Sequence, residues 1–121
     1  MKCLHATVIL VLCLIIFACG NTENSKLIIG NWEGAQWIVD GQPSENMANQ
    51  TSFSFDSTGA YSYQYGSNKE TGTYKIANDE LYTTPKNELE MMVKIRKLTI
   101  DSMVFEMNRG GQSEELILVR K

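Results

Sequence analysis

The stretch FSFDSTGAYSYQY, residues 53–65, decides the fold. Two alternating runs, Phe53 and Phe55 around a serine, then Tyr61, Tyr63 and Tyr65 around Ser62 and Gln64, flank Asp56-Ser57-Thr58-Gly59. Alternation with a period of two places every ring on one face of a pleated strand and every small polar residue on the other. Aromatic residues also favour strands, and a glycine after Asp-Ser-Thr suits the left-handed position of a tight connection. The stretch therefore reads as a β-hairpin, TSFSF followed by AYSYQY, with one apolar face and one wet face.

The same pattern extends in both directions. NWEGAQWIV (residues 31–39) ends at Asp40-Gly41, TGTYKIA (71–77) and ELYTT (80–84) flank Asn78-Asp79, and EMMVKIRKLTI (90–100) and MVFEM (103–107) flank Asp101-Ser102. A loop through Gly110-Gly111 leads to EELILVR (114–120). Eight strands in sequential hairpin order predict an all-β chain, an eight-stranded antiparallel up-and-down β-barrel, because closure removes the exposed sheet edges. An open or two-layered antiparallel sheet is the alternative. The longest connection, residues 41–50, carries Pro43 and a helical turn over 45–49, and is expected to lie across one mouth of the barrel.

The chain has 121 residues, 43% of them hydrophobic and 21% charged, the composition of one compact domain plus a tail. The N-terminus reads as a secretory signal, with Lys2, an apolar run over residues 4–17, and small Ala18 before Cys19. So short a run is unsuited to spanning a bilayer. Ile16-Phe17-Ala18-Cys19 resembles the lipobox of bacterial lipoproteins, which implies cleavage before Cys19 and acylation of that residue. Two or three acyl chains hold a protein on a membrane essentially permanently. The expected organisation is a lipoprotein signal peptide (1–18), a lipidated Cys19 with a polar, flexible linker (19–26), and a barrel domain (27–121).

Cleavage would remove Cys3, His5 and Cys13, leaving no histidine and only an acylated cysteine. Disulfides, thiolate or imidazole metal sites and histidine-activated nucleophiles are then excluded, and no metal or cofactor is expected. With Lys2 removed from the 11 basic residues, 10 face 14 acidic ones, a net charge of −4 that argues against nucleic acid. Lys94, Arg96 and Lys97, the one basic cluster, read as a solvated strand face.

Gly30-Asn31-Trp32 resembles the Gly-x-Trp that opens the first strand of lipocalins and fatty-acid-binding proteins. With FSFDSTGAY (53–61), GTY (72–74) and DEL (79–81), the chain from about residue 27 onward is similar to the short lipocalin-like domains of bacterial lipoproteins, especially of Bacteroides-type bacteria. The resemblance implies that Trp32 plugs the closed end and that Arg120 covers its ring, a structural pair. It also implies a lipid-anchored protein of the bacterial cell envelope, at the outer membrane.

An eight-stranded barrel is just wide enough to be filled by side chains or to hold one small ligand. The expected inward set is Trp32, Phe53, Phe55, Tyr61, Tyr63, Tyr74, Ile76, Leu81, Met91, Val93, Ile95, Phe105, Met107, Leu116 and Leu118. Among these, Trp32, Phe53, Phe55, Tyr61, Tyr63, Tyr74, Met91, Phe105 and Met107 are the candidate ligand-binding residues. Their bulk favours a packed core, whereas adaptable methionines and buried phenols keep a pocket for a small hydrophobic ligand open. If Tyr61, Tyr63 and Tyr65 instead faced outward, or Trp37 or Tyr65 were exposed, an aromatic surface would point to a protein or glycan partner.

Other patterns read as turn chemistry. Gly110-Gly111-Gln112 resembles the tripeptide of peptide-release factors, Asn49-Gln50-Thr51 fits N-glycosylation, and Asp56-Ser57-Thr58 and Asp101-Ser102-Met103 resemble a bacterial O-glycosylation sequon. All fall in loops. The acidic pairs at 79–80, 88 and 90, and 114–115 offer no pair selectable for glycosidase-like work, so no catalytic residue is assigned. Two functions remain: a membrane-anchored, non-enzymatic carrier of a small hydrophobic ligand, or an envelope interaction module whose barrel is filled.

Overall fold

The computed structural model of the chain describes residues 20–45 and 47–121. The signal peptide (1–18) and Cys19 lie outside the described residues. The order is a helix α1 (Gly20–Leu27) and strands β1 (Gly30–Val39), β2 (Gln42–Pro43), β3 (Thr51–Phe55), β4 (Ala60–Tyr65), β5 (Asn68–Ala77), β6 (Glu80–Pro85), β7 (Met91–Leu98), β8 (Ser102–Arg109) and β9 (Gln112–Arg120). All pairings are antiparallel, and β1 pairs with both β3 and β9. That closes eight strands into a barrel. The ninth strand, β2, is an addition that the alternation did not signal, two residues paired with Ile38 and Val39.

Why β2 is there follows from β1. Its lower half, Gly30 to Glu33, pairs with β3, and its upper half parts from β3 and pairs with β2. The gap is filled by a short 3-10 helix, Ala48–Gln50, where the loop was expected to turn at 45–49. This loop is therefore part of the wall rather than a cover over the mouth. Ala48 is buried, and a Cβ on Gly34 would stand 2.1 Å from its carbonyl oxygen. Gly34→Ala must push that backbone away, and overpacking of this kind costs about 1–3 kcal/mol. A urea titration is expected to show the drop in midpoint with little change in slope.

A register shift between Gly34 and Gln36 sets a bulge in β1, and another sits between Ile95 and Lys97 in β7. A bulge inserts one residue and reverses the parity of every side chain beyond it. Trp32 and Trp37, five residues apart, consequently both point inward, as do Ile95 and Leu98. Arg96 and Lys97 are both exposed, as expected of the basic cluster, and Arg96 donates to Glu115 on β9.

Residues 20–26, expected to be a flexible linker, form most of α1 instead. Glu23 in the first turn and Lys26 in the last complement the helix dipole. Asn24 Nδ2 donates to the carbonyl of Asn78 at 3.0 Å, and Ile28, just beyond the helix, is fully buried. α1 thus seats across the barrel end formed by the β3–β4, β5–β6 and β7–β8 turns. The core consists of Ile28, Trp32, Trp37, Ala48, Phe55, Tyr61, Leu81, Ile95, Met103, Phe105, Leu116 and Leu118. Ile28, Trp37, Ala48 and Met103 were absent from the expected inward set.

Candidate functional site

The closed end is built around Trp32 and Arg120, neighbours in register on β1 and β9. Trp32 is fully buried and its Nε1 donates to the Ile28 carbonyl at 2.8 Å. The Arg120 guanidinium lies 4.3 Å from the indole centroid. Its Nη1 donates to Ile29 O at 2.8 Å, its Nη2 to Leu27 O, and its Nε to Ile100 O at 2.5 Å. Gly30 makes room for it: φ is 135°, and a Cβ there would meet Nη1 at 2.5 Å. Only glycine tolerates both conditions.

Above this plug the rings interlock. Phe53 stacks on Phe55 (centroids 5.8 Å apart), tilts against Tyr63 (4.8 Å) and meets Phe105 edge to face at 5.4 Å. Phe55 in turn meets Tyr74 at 5.0 Å. Phe53 on β3 and Phe105 on β8 belong to opposing walls, so their contact bridges the lumen. Of the candidate ligand-binding residues, Trp32, Phe55, Tyr61 and Phe105 are buried, and Phe53, Tyr63, Tyr74 and Met107 pack against them. Met91 does not join them. It sits opposite Thr83 on the inward face, but β7 enters the barrel there, and the side chain at the rim is 49% exposed.

The upper rim carries charge. Glu114 is buried, accepts from Trp37 Nε1 at 3.1 Å and pairs with Arg109 Nε at 3.1 Å. Arg109 also covers Trp37 at 6.0 Å, and Trp37 meets Tyr65 edge to face at 6.2 Å. The outward aromatic stripe is therefore absent: Trp37 is 8% exposed and Tyr65 packs on the core. Glu114 was invisible as an interior residue because alternation reads Glu114-Glu115 as a wet strand end. Its partner Trp37 was hidden by the bulge.

The Tyr61 hydroxyl donates to Glu70 at 2.9 Å, and that of Tyr74 donates to the Asp56 carbonyl at 2.5 Å. Burial first, and then Glu70, push the Tyr61 phenol well above its ordinary range, and burial raises Tyr63 and Tyr74. A group whose folded pKa is raised stabilises the fold below its unfolded pKa and loses that contribution as pH rises through the folded value. Stability is thus expected to fall steadily once pH passes about 10, an alkaline denaturation series being the check. Tyr61→Phe should flatten it.

The Asp56 carboxylate accepts from Ala60 N at 2.9 Å, Thr58 Oγ1 at 2.7 Å and Thr58 N at 2.9 Å, which holds its pKa below the usual value. Thr58 and Ser102, the latter within 3.0 Å of Thr99 Oγ1, serve their turns. Among the described residues one buried hydroxyl is unpartnered: Thr51 Oγ1, in a fully buried residue. Removing an unsatisfied group from a dry site is favourable, so Thr51→Val should raise stability by about 1 kcal/mol in thermal melts.

A broad, shallow concavity lies on the outside of the barrel. It is an open depression of about 950 Å³ across β1, β3, β4, β5 and β6, floored by outward-facing Asn31, Ser54, Ser62, Thr71, Thr73 and Thr84. A second hollow, about 240 Å³, lies on the same wall beside Lys75, Tyr82 and Glu90. Among the described residues no cluster of three or more His, Cys, Asp or Glu side chains could hold a metal ion.

A closed eight-stranded barrel, plugged by a Gly-x-Trp and a late arginine, defines the class. The family model of the lipocalin-like domain matches residues 28–105, and the chain belongs to that family. It is similar to a lipocalin-like protein from Bacteroides uniformis, with 16% identity, a TM-score of 0.60, and 78% of this chain aligned to 99% of that one. It is equally similar to an uncharacterized protein from Bacteroides eggerthii, at 16% identity, a TM-score of 0.59 and the same coverage. At this identity the likeness is one of fold. No curated protein matches the sequence.

Proposed function

We propose that this chain is a lipid-anchored, non-enzymatic module of the bacterial cell envelope, whose barrel is filled by its own side chains and whose partner binds its outer wall. One observation carries the reading: Phe53 and Phe105 meet edge to face across the lumen. Close-packed interiors leave few voids larger than a water molecule, whereas the depression on the β1–β6 wall offers both volume and hydroxyls. The lipobox-like Ile16-Phe17-Ala18-Cys19 supports the anchor.

The test is site-specific photo-crosslinking in intact cells of the source bacterium, with benzoylphenylalanine at Ser62 in the depression and at Glu106 on the far wall. A discrete adduct from Ser62 that Glu106 does not give is the expected result. Identical adducts from both walls would sink the outer-wall reading. A second reading, a small hydrophobic ligand resting on the upper rim, is favoured by the half-exposed side chain of Met91 there.

A further inference from the structure

The wall opposite the depression has a different chemistry. Along β8 and β9, alternating with the buried Met103, Phe105, Leu116 and Leu118, the outward positions carry Val104, Ile117 and Val119. Val104 and Ile117 are paired with each other and half-buried, Val119 is 41% exposed, and Ile100 in the β7–β8 turn is 67% exposed at the lower corner. An antiparallel strand with one wet face alternates apolar inside with polar outside, and these outward aliphatic residues break that rule.

Register places charge on both flanks of this patch. Lys97 on β7 stands beside Val104, while on β1 Glu33 stands beside Val119 and Gln36 beside Ile117. Below, Asp101 precedes β8 and Lys121 follows β9. Above, Lys94 stands beside Glu106 and Arg96 donates to Glu115, so the upper margin is balanced within the chain. Across the wall in the order β7, β8, β9, β1 the patch therefore runs from basic, through two aliphatic strands, to acidic. Its lower margin is acidic under β8 and basic under β9.

We infer that this wall is a self-association surface, on which a second copy of the chain packs about a two-fold axis lying along the seam between β8 and β9. Such an axis inverts the strand order in the facing copy, so that β8 of one covers β9 of the other and β7 covers β1. Val104 of each copy then meets Ile117 of the other, Lys97 reaches Glu33 and Asp101 reaches Lys121. Every contact occurs twice, as an isologous interface requires. The aliphatic residues supply the attraction and the charges fix the register. A lipid surface would be indifferent to the order of those charges, whereas a second copy makes use of it. A face three strand spacings wide, about 14 Å, belongs with transient rather than obligate interfaces. The pairing leaves the depression over β3 to β6 uncovered in both copies.

The test co-expresses two differently tagged full-length chains in the source bacterium, Val104→Cys in one and Ile117→Cys in the other, and oxidises intact cells. A disulfide-linked dimer carrying both tags is expected at several-fold the yield of either self-pair, because position 104 faces 117 and not itself. Ser54→Cys with Ser62→Cys, on the opposite wall, is the control and is expected to give none. No mixed dimer, or equal yields from the two walls, overturns the proposal. Sedimentation velocity of the purified full chain tests the register. Glu33→Lys sets like charges face to face and is expected to weaken self-association several-fold, and Lys97→Glu in the same chain is expected to restore it. Both positions lie on the outer face, and thermal melts check that each variant is folded. A dimer that Glu33→Lys leaves unchanged, or that the second substitution does not restore, overturns the two-fold packing.

Discussion

Trp32→Ala is expected to lower the unfolding free energy by about 3–5 kcal/mol, the range for deleting a large buried aromatic. The indole is fully buried, so its removal leaves a void at the closed end. It also strips the Ile28 carbonyl of its donor and uncovers Arg120, whose contact with the ring contributes about 0.5–2 kcal/mol. Arg120→Ala acts on the same unit from the other side, since the carbonyls of Leu27, Ile29 and Ile100 all lose a charged donor. The two losses should fall short of additivity in a double-mutant cycle by an amount near the ring contact. Chemical denaturation gives the magnitudes, and hydrogen exchange in α1 should accelerate in both variants. Losses below about 1 kcal/mol would remove the plug from the account.

Phe105→Ala is expected to cost about 3–5 kcal/mol and to change what the barrel takes up. Phe105 is 2% exposed, meets Phe53 edge to face, and lies in register with Ile95 and Leu116. Removing the phenyl group opens a dry apolar void between the walls, and such voids accept benzene-sized molecules. Thermal melts with and without benzene separate the cases. Stabilisation confined to the variant means that the wild-type lumen has no room. Equal stabilisation of both proteins would mean that a cavity already exists.

The strand order was legible because most strands alternate over five or more residues and most connections carry Gly, Asn or Asp where φ turns positive, as at Asp40 and Asn78. The Gly30, Trp32 and Arg120 constellation was legible for a different reason: it resembles the Gly-x-Trp and late arginine of lipocalins, and the structure adds that a Cβ at position 30 would collide with the guanidinium. What escaped was whatever a bulge or the third dimension decides. Trp37 could not be placed, since one inserted residue near Gly34 reverses its face. α1 escaped because GNTENSK has no apolar stripe, and a helix of eight residues owes its stability to docking rather than to propensity. Met91 carries the right parity but lies where the strand emerges at the rim, and parity gives the face, not the depth. The outer depression has no sequence signature, because it arises where five strands bring small hydroxylic side chains side by side on a twisted wall.

The most direct test of a self-filled barrel is native mass spectrometry of the chain extracted from the envelope of its own host. The expected result is the mass of the acylated polypeptide with no small molecule retained, from a sample that unfolds cooperatively. A small molecule held at one-to-one stoichiometry and released only on unfolding would contradict the account and make the barrel a carrier.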